Sequence, residues 1–175
     1  MKETIITTID LKESIFILVK NIRYGIIICS ANNHLAYIIV SQINRIADNG
    51  LQDEVLLHDR FIPDDDVKYY FSAADFVVQP YKTATQSGVT QIAYQFCVPM
   101  VVTKVGGLAE IVPDGRVGYV CEPTPEGVAG AIERMYEGDT LQRFRENCVE
   151  ERRRFSWEEM CSRITELYGL VASGK

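Results

Sequence analysis

The sequence lacks most of the motifs with which enzymes commonly carry out their chemistry. Only two of its 175 residues are histidines, His34 and His58, and neither has a partner at metal-ligand spacing. A Walker lysine motif, a G-x-S-x-G turn and a G-x-G-x-x-G turn are also missing from the sequence. These absences argue against zinc chemistry, P-loop hydrolysis, serine hydrolysis and hydride transfer.

The sequence also lacks a basic surplus and a long hydrophobic run. Its formal net charge of -6 argues against a nucleic-acid partner, which calls for a basic face. Its apolar runs, such as residues 26–29, are far too short to cross a bilayer, and no signal peptide is visible after Met1. The five cysteines form no C-x-x-C pair, which favours reduced thiols. Together these features predict a cytoplasmic protein.

What the sequence does contain is a regular alternation of strand-like and helix-like segments. With 47% hydrophobic residues, the chain is expected to form one α/β domain over residues 1–175. We expect a Rossmann-like, doubly wound parallel sheet in a three-layer α/β/α arrangement. Strands are predicted at residues 5–9, 24–30, 54–60, 75–80, 100–103 and 117–121. Helices are predicted at residues 11–22, 35–47, 87–98 and 107–111, with another starting at Pro63.

The last third of the chain is predicted to be helical. Thr124, Pro125 and Glu126 supply an N-cap, a proline in the first turn and a favourable acid. Ser156 and Glu159 form a capping box for a final helix. An apolar stripe from Trp157 to Val171 follows at helical spacing and is expected to pack into the core.

The turn between the strand ending at Pro80 and the helix after it is a candidate anion site. Residues 81–88 are mostly small or polar, so a ligand has room to approach the backbone. The backbone N–H groups of Ser87 to Val89 would then bind a diphosphate at a helix N-terminus. An ordinary capped helix with a solvated loop is the alternative.

A second candidate turn, Gly106-Gly107, follows the next strand. The glycine pair permits close approach of the backbone to a ligand. Glu110 lies about one helical turn further on, within reach of a hydroxylated ligand such as a sugar or ribose. A glycine turn beside an exposed glutamate is the alternative. Because parallel strands end at the same sheet edge, both turns are expected at one ligand-binding edge.

Seven segments carry a resemblance to a known family. They are 58–64 (HDRFIPD), 72–75 (SAAD), 79–81 (QPY), 87–88 (SG), 99–103 (PMVVT), 105–112 (VGGLAEIV) and 114–118 (DGRVG). In order and spacing, this set resembles the C-terminal, donor-binding domain of the retaining GT-B glycosyltransferases of the glycosyl transferases group 1 type. The resemblance is clearest over residues 52–168.

The resemblance implies a Rossmann-like half of a GT-B fold that binds a UDP- or GDP-sugar without a cofactor or a metal. Within it, the backbone around Ser87, Gly88 and Val89 would hold the diphosphate. The other residues implied at the nucleotide-sugar are Arg60 and Ile62 at the nucleobase, Gln91 on the phosphate-site helix, and Gly106, Gly107 and Glu110 beside the donor pocket.

The sequence departs from the family at its charged residues. The family places two acids eight positions apart around the phosphate turn, whereas here Thr85 or Gln86 stands near the first. Residues 91–93 cover the second position and include no carboxylate. The family's arginine and lysine pair has no recognisable form in the first fifty residues. The catalytic residues therefore stay unassigned.

Two interpretations remain open. In the first, the chain is the donor-binding half of a retaining hexosyltransferase that acts on a glycan or lipid-linked acceptor in polysaccharide biosynthesis. An N-terminal acceptor domain would then be missing, the isolated domain would be inactive, and the full enzyme would lie at the inner face of the membrane as a peripheral protein. In the second, the chain is a non-catalytic nucleotide-sugar-binding or interaction module.

Overall fold

A computed structural model of the chain describes residues 62–172 in full, together with residues 48 and 50. Of the earlier part it describes the backbone of four strands, at residues 7–8, 14–21, 24–31 and 55–57. The predicted helix over residues 35–47 and the last three residues, 58–60, of the predicted strand 54–60 lie outside the described residues.

Seven strands form one sheet in the order β4-β2-β1-β3-β5-β6-β7. The strands are β1 (Thr7–Thr8), β2 (Ser14–Asn21), β3 (Tyr24–Ala31), β4 (Val55–Leu57), β5 (Phe76–Gln79), β6 (Met100–Thr103) and β7 (Gly118–Cys121). Five of them, β1, β3, β5, β6 and β7, are joined by parallel pairings, with Val77 opposite Met100 and Met100 opposite Gly118. The predicted Rossmann-like α/β fold is confirmed in this half of the sheet.

Strand β2 corrects two predictions. Residues 14–21 form a strand, so the predicted helix over residues 11–22 is wrong. The strand also runs antiparallel to β1, β3 and β4, so the sheet is mixed and not wholly parallel. The continuous apolar run from Ile15 to Val19 satisfies helical spacing and a strand equally well, and its β-branched and aromatic residues favour the strand. Only residues 22 and 23 separate β2 from β3, and so short a connection joins antiparallel strands.

The described helices begin and end close to their predicted positions. They are α1 (Asp64–Ala73), α2 (Gly88–Gln95), α3 (Leu108–Ile111), α4 (Pro125–Met135), α5 (Thr140–Glu151) and α6 (Trp157–Ala172), with a 3-10 turn at Arg152–Phe155. Three of the start signals act as predicted. Three aspartates occupy the first turn of α1, the Thr124 hydroxyl accepts from the Gly127 N–H at 3.1 Å, and the Ser156 hydroxyl accepts from the Glu159 N–H at 3.1 Å.

Helices cover both faces of the parallel half of the sheet, which confirms the three-layer arrangement. Val77 of β5 faces a core shared with Phe71 of α1 and Ala93 of α2. Its neighbours in the strand, Phe76 and Val78, face the opposite core with α4 and α5. The continuous apolar sequence of β5 and β6 follows from this, because both of their faces are buried.

The apolar stripe of α6 is exposed, so its predicted packing into the core is wrong. The exposed fractions of Trp157 and Tyr168 are both 75%, and that of Leu167 is 62%. Helical spacing of apolar residues indicates that a face needs a partner, but it does not identify the partner. The described part of this chain leaves that face open to solvent.

Candidate functional site

The two predicted turns meet at the carboxyl edge of the sheet. The N–H of Gly107 donates to the carbonyl oxygen of Thr85 at 3.1 Å. Gly106 has a φ of +50°, and a Cβ atom on it would lie 1.8 Å from the carbonyl oxygen of Ala84. Because only glycine allows this approach, the Gly106-Gly107 pair closes the turns onto each other.

A buried threonine at the end of β6 holds the start of the loop after β5 by hydrogen bonds. The hydroxyl of Thr103, at the end of β6, donates to the carbonyl oxygen of Tyr81 at 2.6 Å. The carbonyl oxygen of Gln79, the last residue of β5, lies 3.3 Å from the same hydroxyl. Thr103 is only 1% exposed, so these contacts are shielded from water. These contacts therefore hold the backbone at the start of the loop after β5 in one position.

The first turn of α2 begins at this junction without a side-chain cap. Ser87 is the N-cap residue, yet its side chain does not bond the helix backbone. The Ser87 hydroxyl instead lies 3.2 Å from the hydroxyl of Tyr81, in a buried contact. The first N–H groups of a helix have no partner within the helix. Those of Gly88 and Val89 are thus available to a ligand at the positive end of the helix dipole.

A tyrosine connects α2 to the short helix after the glycine pair. The hydroxyl of Tyr94 donates to the carbonyl oxygen of Ile111, at the end of α3, at 2.7 Å. Tyr94 is 1% exposed, and this burial raises the pKa of its hydroxyl far above the usual range. The neutral hydroxyl therefore persists as a donor, and it holds α3 against α2.

The structure brings together some of the predicted site residues. Ser87 and Gly88 follow the loop residues Ala84 and Thr85, which contact Gly106 and Gly107. A Cβ atom added to Gly88 would meet no protein atom within 4 Å. Glu110 lies one turn beyond, where its N–H donates to the Gly107 carbonyl oxygen at 3.2 Å, and it is exposed. These residues share one edge of the sheet.

Other predicted residues have buried side chains, lie on another surface of α2, or fall outside the described part of the chain. The side chains of Ile62 and Val89 are 2% and 5% exposed and belong to the core, so they present no side-chain surface to a ligand. Gln91 is exposed on the outer face of α2, where it lines a groove of about 410 Å³ between α1 and α2. Arg60 lies outside the described residues.

Sequence reasoning missed two residues that shape the site, Tyr81 and Thr103. Both are buried polar side chains that hold the loop after β5. One signal was present in the sequence. A threonine at the end of the otherwise apolar β6 has a hydroxyl that requires a partner when buried.

Two kinds of feature are absent from the described part of the chain. Among residues 62–172 and the described strands, no three histidine, cysteine or acidic side chains cluster as metal ligands do. No described helix combines the length and apolar character that a membrane span requires.

Comparison with known proteins gives one matching family model and a set of relatives. The model for the family "Glycosyl transferases group 1" matches residues 15–138. The D-inositol 3-phosphate glycosyltransferase of a Nocardioides species is 30% identical over 114 residues, which are 62% of this chain and 25% of that protein. The chain thus spans about a quarter of the length of this relative.

Solved structures share the fold at low sequence identity. Anabaena Alr3699/HepE in complex with UDP superposes with a TM-score of 0.64 and 22% identity, over 82% of this chain and 40% of that one. The C-terminal domain of a glycosyl transferase group 1 family protein from Francisella tularensis gives a TM-score of 0.60 and 18% identity, over 69% and 63% of the two chains.

Proposed function

The chain belongs to the glycosyl transferases group 1 family, and we propose that it is the C-terminal, donor-binding half of a retaining glycosyltransferase. Its donor is a UDP- or GDP-sugar, and its acceptor is a glycan or a lipid-linked molecule at the inner face of the membrane. No metal or cofactor takes part in donor binding.

The observation that supports this proposal best is the junction of the two turns. Gly107 and Thr85 are joined there by a backbone hydrogen bond, and the uncapped first turn of α2 opens beside them. A helix N-terminus with a glycine that leaves space for the ligand is suited to a diphosphate. Carboxyl edges of parallel strands are also where α/β sheets bind their ligands.

The same geometry suggests how this half contributes to sugar transfer. When the bond from the sugar to the nucleotide breaks, negative charge develops on the departing nucleoside diphosphate. Fixed backbone N–H groups at Gly88 and Val89 stabilise that charge without having to reorganise. The acceptor must be positioned against the anomeric carbon by another part of the protein, so this half is inactive alone.

We assign the exposed stripe of α6 to contact with that acceptor domain. The chain spans a quarter of the curated relative, so a longer protein has ample length for a second domain. The stripe comprises Trp157, Met160, Ile164, Leu167, Tyr168 and Val171, all at least 43% exposed. A contiguous apolar helix face of this kind is typical of a surface that another domain covers.

The docking of α6 is testable with two separately produced parts of the longer protein. The upstream part should bind to residues 1–175, and Leu167→Asp should weaken this binding at least about tenfold, because it places a charge in an apolar contact. The neighbouring variant Glu166→Gln should bind as the wild type does. No association between the parts, or equal binding by both variants, would contradict the docking.

A non-catalytic nucleotide-sugar-binding module is the second candidate. It is favoured by the amides Gln86 and Gln91, which are exposed and stand where the family resemblance leads us to expect acids. The longer protein separates the two candidates. Transfer or slow hydrolysis of a UDP- or GDP-sugar supports the enzyme, whereas binding without turnover supports the module.

Calorimetric titration of the chain tests the function common to both candidates. UDP, GDP, their sugar conjugates, ATP and inorganic phosphate form the panel. We expect saturable binding of one nucleoside diphosphate and of its sugar conjugate. This binding should not require added magnesium, and a chelator should not abolish it. If no nucleotide in the panel binds, the proposal is wrong.

A further inference from the structure

Two lysines follow neighbouring strands beside the junction of the turns. Lys104 comes directly after β6, and Lys82 is the third residue after β5. These strands are paired, with Gln79 opposite Val102. Both lysines are exposed, and within the described residues neither forms an ion pair with a carboxylate.

The hydrogen bond that organises the junction also brings the two lysine backbones together. The Thr103 hydroxyl donates to the carbonyl oxygen of Tyr81 at 2.6 Å. The next residue after Thr103 is Lys104, and the next residue after Tyr81 is Lys82. Consecutive Cα atoms are about 3.8 Å apart, so each lysine starts one residue from this bond. Lys104 is fixed further, because its N–H donates to the carbonyl oxygen of Cys121 at 2.8 Å.

Two unpaired ammonium groups at one sheet edge repel each other unless an anion lies between them. A bound anion attracts both groups and so offsets this repulsion. The acidic residue Glu122 follows Cys121, whose carbonyl oxygen accepts the hydrogen bond from the Lys104 N–H. Within the described residues the Glu122 carboxylate forms no ion pair, with either lysine or with any other residue. The arrangement is therefore complementary to a small, multiply charged anion.

We propose that Lys82 and Lys104 form a cation pair that binds the diphosphate of the nucleotide donor, together with the first turn of α2. This inference rests on the proposed function and names the side chains that give the site its charge. Lysine is suited to the role because its ammonium is a compact charge on a flexible stem, which reaches a phosphate oxygen from a loop. The pair supplies two positive charges at the place where the leaving group gains negative charge.

The pair and the helix terminus differ in what they recognise. Helix N–H groups bind a phosphate oxygen at fixed positions, whereas the lysines respond to total charge and to salt. A nucleoside diphosphate should therefore bind more tightly than the corresponding nucleoside, and added salt should reduce the difference. Lys82 and Lys104 should account for most of that salt dependence.

The test uses calorimetric titrations of UDP and GDP, and of uridine and guanosine, into five forms of the chain. These are the wild type, Lys82→Gln, Lys104→Gln, the double variant, and Arg143→Gln as a control that loses one positive charge on α5. Each single lysine variant should weaken diphosphate binding about three- to tenfold, the range for an exposed charge-assisted contact. The double variant should lose more and show a flatter salt dependence, while nucleoside binding should stay unchanged.

The outcomes separate this inference from the function on which it rests. If UDP and GDP bind the lysine variants as tightly as they bind Arg143→Gln, the cation pair is wrong and the proposed function stands. If lysine variants lose nucleoside and diphosphate binding equally, the lysines act on the loop's structure, and the pair is again wrong. If neither nucleoside diphosphate binds the wild type, the proposed function itself is overturned.

Discussion

The carbonyl oxygen of Ala84 occupies the space that a side chain on Gly106 would need. The two residues belong to turns after neighbouring strands, and a Cβ atom on Gly106 would lie 1.8 Å from that oxygen. The contact allows the loop after β5 and the glycine turn after β6 to form one surface. The candidate diphosphate site depends on it.

Gly106→Ala should therefore destabilise the protein more than the same change at another left-handed glycine. Gly138 is the matched control, because its φ of +55° resembles that of Gly106 and a Cβ on it meets nothing within 4 Å. Both variants carry backbone strain, and Gly106→Ala adds a steric clash worth about 1–3 kcal/mol. Urea unfolding measures the difference. Equal free energies of unfolding for the two variants would show that the turns do not meet as described.

Thr103→Val should loosen the junction although it preserves the shape of the side chain. It removes the hydroxyl that donates to the carbonyl oxygen of Tyr81, and the loss of this buried hydrogen bond costs about 0.5–1.5 kcal/mol. Thr103→Ser is the control, because it keeps the hydroxyl and loses a methyl group. Thermal or urea unfolding should rank the valine variant below the serine variant. The opposite order would mean that packing of the methyl group matters more than the hydrogen bond.

Gly88→Val should abolish nucleotide binding and leave the fold intact. A Cβ at Gly88 meets no protein atom within 4 Å, so the added methyl groups would occupy only the space that we assign to the diphosphate. Gly130→Val in α4 provides the control, since a Cβ there also meets nothing within 4 Å. Titration of UDP and GDP into both variants, with circular dichroism to verify folding, makes the comparison. Wild-type affinity in Gly88→Val would exclude this turn as the phosphate site.

The stability of the chain should fall in acid partly through Glu151. Arg154 donates to its carboxylate at 2.9 Å and Arg116 at 2.6 Å, and these hydrogen bonds hold the pKa of Glu151 below its ordinary value. A carboxyl with a lowered pKa in the folded state stabilises the protein above its unfolded pKa of about 4.3. That stability is lost as the pH falls from there through the folded pKa.

Glu151→Gln should consequently flatten the decline in melting temperature between about pH 5 and pH 3. Its neighbour Glu150 is the control, because it contacts only Arg116 in the described structure and its side chain is 68% exposed. The difference between the Glu151→Gln and Glu150→Gln profiles then measures what the contacts of Glu151 with its two arginines contribute. A Glu151→Gln profile that parallels the wild type would show that the carboxylate is not held by its arginines.

Much of the fold was predictable because its signals are local. Asp64 to Asp66 start α1, Thr124 and Pro125 start α4, and Ser156 starts α6 at the predicted residues. Residues 14–21 were mispredicted because a continuous apolar run fits both helix and strand, and the pairing partners that decide between them are distant in sequence.

The site was predictable in outline and not in detail. Gly88 and Gly106 were identifiable because glycines after buried strands mark places where a backbone comes close to something else. The role of Thr103 depends on a hydrogen bond to Tyr81, 22 residues away, which no local pattern encodes. The exposure of the α6 stripe was missed for a related reason, since spacing describes the face of a helix and not what lies against it.

The most direct measurement of the central claim is the response of individual backbone amides to a nucleoside diphosphate. In a ¹⁵N-labelled chain titrated with UDP or GDP, the amide signals of Gly88, Val89, Gly106 and Gly107 should shift most, and in proportion to occupancy. The amide of Gly138, which is remote in sequence and follows α4, should not shift. Saturable shifts confined to other parts of the chain, with Gly88 and Val89 unchanged, would contradict the assignment of the diphosphate to the first turn of α2.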